Sequence, residues 1–91
     1  MHLVTLSDGG VSLEFSDDEF GRLKKELGRT APYTVREEAV CDILQFAGFE
    51  IVFQNEWDSP VLIAGPDGGA DLLRAAYEAC ENRGGRTLAA A

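Results

Sequence analysis

Few side chains in this sequence are of types that commonly perform catalysis. His2 is the only histidine, so no second imidazole is present for a metal site, and a hydrolytic triad would have to be built from it. Cys41 and Cys80 each fall inside a predicted helical pattern, which favours reduced, partly buried thiols over a disulfide. The sequence therefore predicts a non-enzymatic protein with no cofactor.

Three acidic side chains lie close together in one predicted helix. Glu37, Glu38 and Asp42 fall at one end of a predicted helix, where Glu38 and Asp42 stand four residues apart and could share a cation. Two carboxylates are an incomplete metal site. We interpret them as a solvated acidic face that a protein partner can use, and we predict no metal.

A glycine-rich segment at residues 65–69 follows a predicted strand and precedes a helix. That arrangement resembles those in which backbone amides at a helix start hold a phosphate. Gly-Lys-Ser/Thr is absent, however, and Asp67 and Asp71 would place negative charge against the phosphate. The segment is interpreted as a turn followed by a helix cap.

Trp57 stands between Glu56 and Asp58, in the predicted connection between two strands. If the two strands share an inward face, the numbers of any two residues paired across the hairpin sum to 114. That pairing predicts a three-residue loop centred on Trp57. Two interpretations remain open. The indole anchors a partner at an exposed hairpin tip, or it folds back and stabilises the loop.

The charge balance limits the classes of partner. Sixteen acidic residues against eight basic ones give a net charge of −8, which repels nucleic acid and anionic lipid and favours a basic protein. No segment approaches the roughly 20 apolar residues of a membrane span, and the first residues lack the pattern of a signal peptide. We therefore predict no nucleic acid or membrane partner, and a cytoplasmic location.

The sequence of the first third of the chain predicts a hairpin followed by a helix. Residues 2–6 and 11–15 flank Asp8-Gly9, which predicts a two-residue type I′ turn with opposing numbers summing to 17, so that Val4 faces Leu13. A capping box from Ser16 to Glu19 predicts a helix that begins at Asp17, carries Phe20, Leu23 and Leu27 on one face, and stops at Gly28.

The sequence of the remaining two thirds predicts a helix, a hairpin and a second helix. Thr34 to Glu37 repeats the capping-box pattern and predicts a second helix, with Val40, Ile43, Leu44 and Ala47 inward and Gly48 at its end. Strands over 49–54 and 61–64 and a helix over 70–82 follow. The predicted fold is α+β, in the order ββα-α-ββα, with a small antiparallel sheet of two hairpins and three helices packed on one face. Residues 1–86 form one domain, and residues 87–91 are a disordered tail or a cloning scar.

These features predict an acidic protein-binding module, most consistent with an inhibitor or immunity (antitoxin-like) protein that neutralises a basic toxin or nuclease. The predicted contact residues are Trp57, Glu56, Asp58, Glu50, Glu37, Glu38 and Asp42. The alternative is a small homo-oligomeric regulatory domain, such as a homodimer paired through residues 2–6, that binds a small molecule between subunits.

Overall fold

A computed structural model describes residues 1–56 and 59–85. The elements, in chain order, are β1 (His2–Thr5), β2 (Val11–Glu14), α1 (Asp17–Thr30), β3 (Thr34–Glu37), β4 (Asp42–Phe46), β5 (Phe49–Glu56), β6 (Ser59–Ala64) and α2 (Gly68–Gly85). The predicted tail at residues 87–91 lies outside this range.

The six strands within the described residues form one antiparallel sheet in the order β1-β2-β6-β5-β4-β3. The two helices pack against each other, and α2 contacts β2, β5 and β6 on one face of the sheet. Leu23 of α1 and Leu73 of α2 are fully buried against Leu13, Ile51 and Leu62 of the sheet. The α+β class and the antiparallel sheet are confirmed, whereas the three helices and the order ββα-α-ββα are wrong. The observed order is ββαββββα.

The predicted second helix is instead the hairpin formed by β3 and β4, with Thr34 paired to Gln45 and Glu37 paired to Asp42. This segment is rich in β-branched and aromatic residues, which favour an extended backbone. A short apolar run fits both the period of a helix and the period of a strand. Gly48, predicted to end that helix, has φ +96 in the turn between β4 and β5. A left-handed glycine serves both a helix end and a hairpin turn, so it did not discriminate between them.

The first hairpin has a different register from the predicted one. Leu3, rather than Val4, faces Leu13. The Leu6 N–H donates to the Gly10 carbonyl at 2.8 Å, and Gly9 has φ +93, so the loop has three residues instead of two. This one-residue shift moves Val4 to the other face of the sheet, where it is 40% exposed.

The second hairpin is also shifted by one residue. Phe53 pairs with Leu62 and Ile51 with Ala64, so that opposing numbers sum to 115 and the predicted register is wrong. The predicted loop is centred on Trp57, which lies outside the described residues. Glu56 pairs with Ser59, which leaves two residues between the strands. The stretch from Val61 to Ala64 is apolar at every position, so alternation could not decide which face is buried.

Helix α1 begins at Asp17, as predicted. The Ser16 backbone N–H donates to Glu19 Oε1 at 2.9 Å, and the Ser16 hydroxyl donates to the same oxygen at 3.1 Å. The backbone bond from Ser16 is the main reason that the pKa of Glu19 is lowered from its ordinary value. The helix continues past the predicted stop at Gly28 and ends at Thr30, where the Ala31 N–H donates to the Leu27 carbonyl at 3.0 Å.

Helix α2 extends two residues further toward the N-terminus than predicted. Asp67 Oδ1 accepts the Gly69 N–H at 2.8 Å, so residues 65–69 form a turn and a helix cap, as predicted. Cys80 is a buried residue of α2, Cys41 is partly exposed beside β4, and both are reduced. Within the described ranges, no helix combines the length and apolar character needed to cross a lipid bilayer.

Candidate functional site

Four of the acidic residues singled out in the sequence lie on the hairpin of β3 and β4 or on the adjoining strand β5. We call this surface the acidic edge, and it consists of Glu37, Glu38, Asp42 and Glu50 together with Arg36. Because side chains alternate along a strand, these residues divide between the two faces of the sheet. Glu38 and Asp42 do not lie one turn apart on a helix, so this prediction from the sequence is wrong.

On the face that the helices leave open, two carboxylates converge on one guanidinium. Arg36 Nε donates to Glu38 Oε2 at 2.7 Å, and Arg36 Nη1 lies 3.8 Å from Glu50 Oε2. Gln45 Nε2 donates to the same Glu50 oxygen at 3.2 Å. All three charged side chains are about half exposed, so the group is a hydrated network of modest strength.

On the face that carries the helices, Glu37 and Asp42 are cross-strand partners. Like charges placed directly opposite each other on a sheet destabilise the pair. A cation supplied by a partner would relieve this repulsion, whereas the carboxylates around Arg36 already have a counter-charge. The pair of Glu37 and Asp42 is therefore the part of the acidic edge best suited to receive a basic side chain.

These two carboxylates border a cleft of about 310 Å³ between α1 and the sheet. Its lining residues are Phe20, Lys24, Tyr33, Val35, Glu37, Asp42, Leu44 and Phe53. The rings of Phe20 and Phe53 stack with centroids 4.7 Å apart, and Lys24 Nζ lies 4.7 Å from the Phe20 centroid. The cleft thus combines aromatic walls with two acids and one amine.

Tyr33 lines the same cleft and is partly buried. Burial raises the pKa of its hydroxyl above the ordinary value, so this group is a neutral hydrogen-bond donor at neutral pH. Its ring lies 5.0 Å from the Phe46 ring, which holds the start of β3 against the core. The hydroxyl adds directional hydrogen bonding to an otherwise apolar wall.

Exposed apolar side chains accompany the acidic edge. Val35 on β3 is 53% exposed, and Val40, in the connection between β3 and β4, is 82% exposed. A second cleft, of about 240 Å³, lies beside that connection and is lined by residues 38–42 together with Phe53 and Asn55. Val35 therefore joins Glu37 and Asp42 in an amphipathic patch on the helix-bearing face, and Val40 lies in the connection at its end.

A larger hollow, of about 480 Å³, lies near the N-terminus of the chain. Its wall includes His2, Glu14, Phe15 and Pro60. It is more open than the cleft beside α1, and the Met1 amino group lies 3.5 Å from Glu19 Oε2 there. A smaller share of its wall is apolar than in the cleft beside α1.

The other predicted contact residues cannot be placed in the same way. Glu56 is the last residue of β5, while Trp57 and Asp58 lie outside the described residues. Sequence reasoning missed Phe20, Lys24, Tyr33, Val35 and Phe53 as site residues. The β-branched and aromatic character of residues 33–35 was the available signal, because it favours a strand at this edge.

Among the residues that the structure describes, no group of three or more His, Cys, Asp or Glu is arranged to hold a metal ion. Comparisons of the chain with protein-family models, with curated proteins and with solved structures found no significant match.

Proposed function

We propose that this protein is a non-enzymatic binding module that docks a basic partner protein on the acidic edge. The observation that carries the proposal is the placement of exposed Val35 and Val40 among Glu37, Glu38 and Asp42 on one hairpin. Protein interfaces commonly join an apolar centre to a polar rim, and a rim of one charge selects a partner of the opposite charge.

Electrostatics at short and long range favour the same partner. The four carboxylates of the acidic edge outnumber the neighbouring cations, Arg36 and Lys24. The net charge of −8 over the chain would steer a basic protein toward it before contact. An inhibitor or immunity (antitoxin-like) protein that neutralises a basic toxin or nuclease in the cytoplasm has these properties, and this is the role that we infer.

A matched pair of variants tests the proposal by affinity capture from the native host. Glu37→Gln/Asp42→Asn removes two charges from the acidic edge, and Glu78→Gln/Glu81→Gln removes two exposed charges from α2. We expect the wild type and the α2 variant to retain a basic partner, and the edge variant to lose it. The mass of the purified complex would identify a hetero-complex.

Equal loss of capture in both double variants would mean that only total charge matters and would contradict a specific surface. Retention of the partner by the edge variant would also contradict the proposal. Thermal melts of each purified variant would show that any loss of capture is not a loss of folding.

Trp57→Ala is expected to weaken the captured complex by about 2 kcal/mol or more, because tryptophan is among the side chains that most often dominate the binding energy of an interface. The melting temperature of the isolated protein should remain nearly unchanged. Titration calorimetry and thermal denaturation measure the two effects separately. A melt lowered by several degrees with unchanged affinity would instead support the interpretation in which the indole stabilises the domain.

A second function is favoured by the size of the cleft beside α1. At about 310 Å³ it lies at the lower end of the range for small-molecule sites, roughly 300 to 1,000 Å³. The corresponding proposal is a homo-oligomeric regulatory domain that binds a small molecule. Native mass spectrometry of the purified chain separates the two, since a homodimer that retains a small ligand would favour this function over partner inhibition.

A further inference from the structure

The edge strand β3 has backbone groups available for further pairing. It is the last strand of the sheet and pairs only with β4 among the described strands, and its four residues are exposed. The Glu38 N–H donates to the Cys41 carbonyl at 2.8 Å, which makes these two residues a hydrogen-bonded pair. Because such pairs alternate along an antiparallel ladder, the N–H and C=O groups of Val35 and Glu37 point away from β4.

We propose that β3 binds an extended, basic segment of the partner protein as a seventh, antiparallel strand of the sheet. This inference rests on the proposed function and specifies how the acidic edge contacts its partner. Main-chain hydrogen bonds to Val35 and Glu37 supply the affinity, and side chains on alternate positions of the added strand supply the specificity. An antiparallel orientation follows the pairing of every other strand in this sheet.

The side chains of β3 define the sequence that the added strand requires. Val35 and Glu37 share the helix-bearing face and line the cleft beside α1. The residue opposite Val35 is therefore apolar, and the residue opposite Glu37 is Lys or Arg, within reach of Asp42 as well. Read from its N-terminus, the added strand has the pattern basic, uncharged, apolar.

The open face requires that the middle residue carry no positive charge. That residue lies opposite Arg36, whose guanidinium is already held by Glu38 and Glu50 at 2.7 and 3.8 Å. A second cation at this position would be repelled by Arg36. A small polar residue is the best match.

The other edge of the sheet and a second copy of the chain are weaker alternatives. Arg74 Nη2 of α2 donates to Thr5 Oγ1 at 3.2 Å, which places a cationic side chain at the end of β1. Self-pairing through β3 would bring together two chains that each carry a net charge of −8, so long-range repulsion opposes it. A basic segment gains from the same charges.

Synthetic hexapeptides test the inference directly. The probe is acetyl-Gly-Lys-Thr-Val-Thr-Gly-amide, and the control, acetyl-Gly-Thr-Lys-Val-Thr-Gly-amide, has the same composition but places Lys and Val on opposite faces. Amide NMR titration should show the largest shifts, and slowed hydrogen exchange, at Val35 and Glu37. The control should bind at least about tenfold more weakly, because it loses one matched side chain.

Backbone methylation separates strand addition from simple charge attraction. An N-methyl group on the Lys or Val of the probe removes a hydrogen bond to β3 and should weaken binding about tenfold. The same group on the central Thr, whose N–H points away from β3, should change affinity by less than about threefold. Both peptides keep the charge of the probe.

Each outcome decides the inference. Salt-sensitive binding that is lost in Glu37→Gln/Asp42→Asn but is indifferent to methylation would overturn strand addition and leave the proposed function standing. Shifts confined to residues 2–5, or protected β3 amides in a homodimer without peptide, would also overturn it. If neither peptide binds, the inference fails, and the capture experiment alone then decides the proposed function.

Discussion

Phe46→Ala is expected to lower the free energy of unfolding by about 3 to 5 kcal/mol, because truncation of a buried aromatic ring leaves a large cavity. Phe46 is only 9% exposed, and its ring lies 5.0 Å from that of Tyr33 and 5.1 Å from that of Phe49. Urea denaturation of the wild type and the variant, analysed with a common slope, measures the difference.

Val40→Ala is the matched control for this experiment. Val40 is 82% exposed in the connection between β3 and β4, so its truncation should change stability by less than about 0.5 kcal/mol. A helix over the same residues would bury Val40 on its inward stripe. A larger loss at Val40 than at Phe46 would therefore contradict the hairpin and favour the helical interpretation.

The segment from Thr34 to Gly48 shows why the sequence predicted the fold only in part. Val40, Ile43, Leu44 and Ala47 match a helical stripe, yet Leu44 and Phe46 also match the alternation of a strand that contacts Ile51 and Phe49. A local pattern cannot choose between these periods when the apolar run is short. Tertiary packing selects the strand over the helix, because β4 pairs with β5 across the tight turn at Gly48.

Helix α1 was predictable at its start and on its buried face because the signals there are local. Ser16 and Glu19 are three residues apart, and their contact forms as the helix forms. Leu23 and Leu27 lie one turn apart and are both fully buried. Its end was less predictable, since Gly28 lies in the last turn rather than beyond it.

The acids of the candidate site were proposed from the sequence, but their arrangement was not. Composition and spacing identified Glu37, Glu38 and Asp42, and the charge balance indicated a basic partner. The walls of the cleft come from elements far apart in sequence, with Phe20 and Lys24 from α1 and Phe53 from β5. A local sequence pattern does not predict contacts between residues far apart in sequence, so the cleft could be identified only from the structure.

Leu62→Ala is the second variant with a large expected effect. Leu62 is 0% exposed and faces Leu13 and Phe53 on neighbouring strands, so its truncation should lower the free energy of unfolding by about 2 to 5 kcal/mol. Ile63 is only partly buried and points to the open face, opposite Ser12 and Val52. Ile63→Ala should cost about 1 to 2 kcal/mol, because less apolar surface leaves water there on folding.

Comparison of these two variants tests the register of β5 and β6. If opposing numbers summed to 114, Ile63 rather than Leu62 would point toward the helices, and the order of the two losses would reverse. Urea midpoints that are lowered more by Ile63→Ala than by Leu62→Ala would therefore show that the hairpin is paired one residue away from the observed register. In that register the residues of β6 change faces while those of β5 keep theirs, so the same measurement also tests whether the ends of the two strands meet at Glu56 and Ser59.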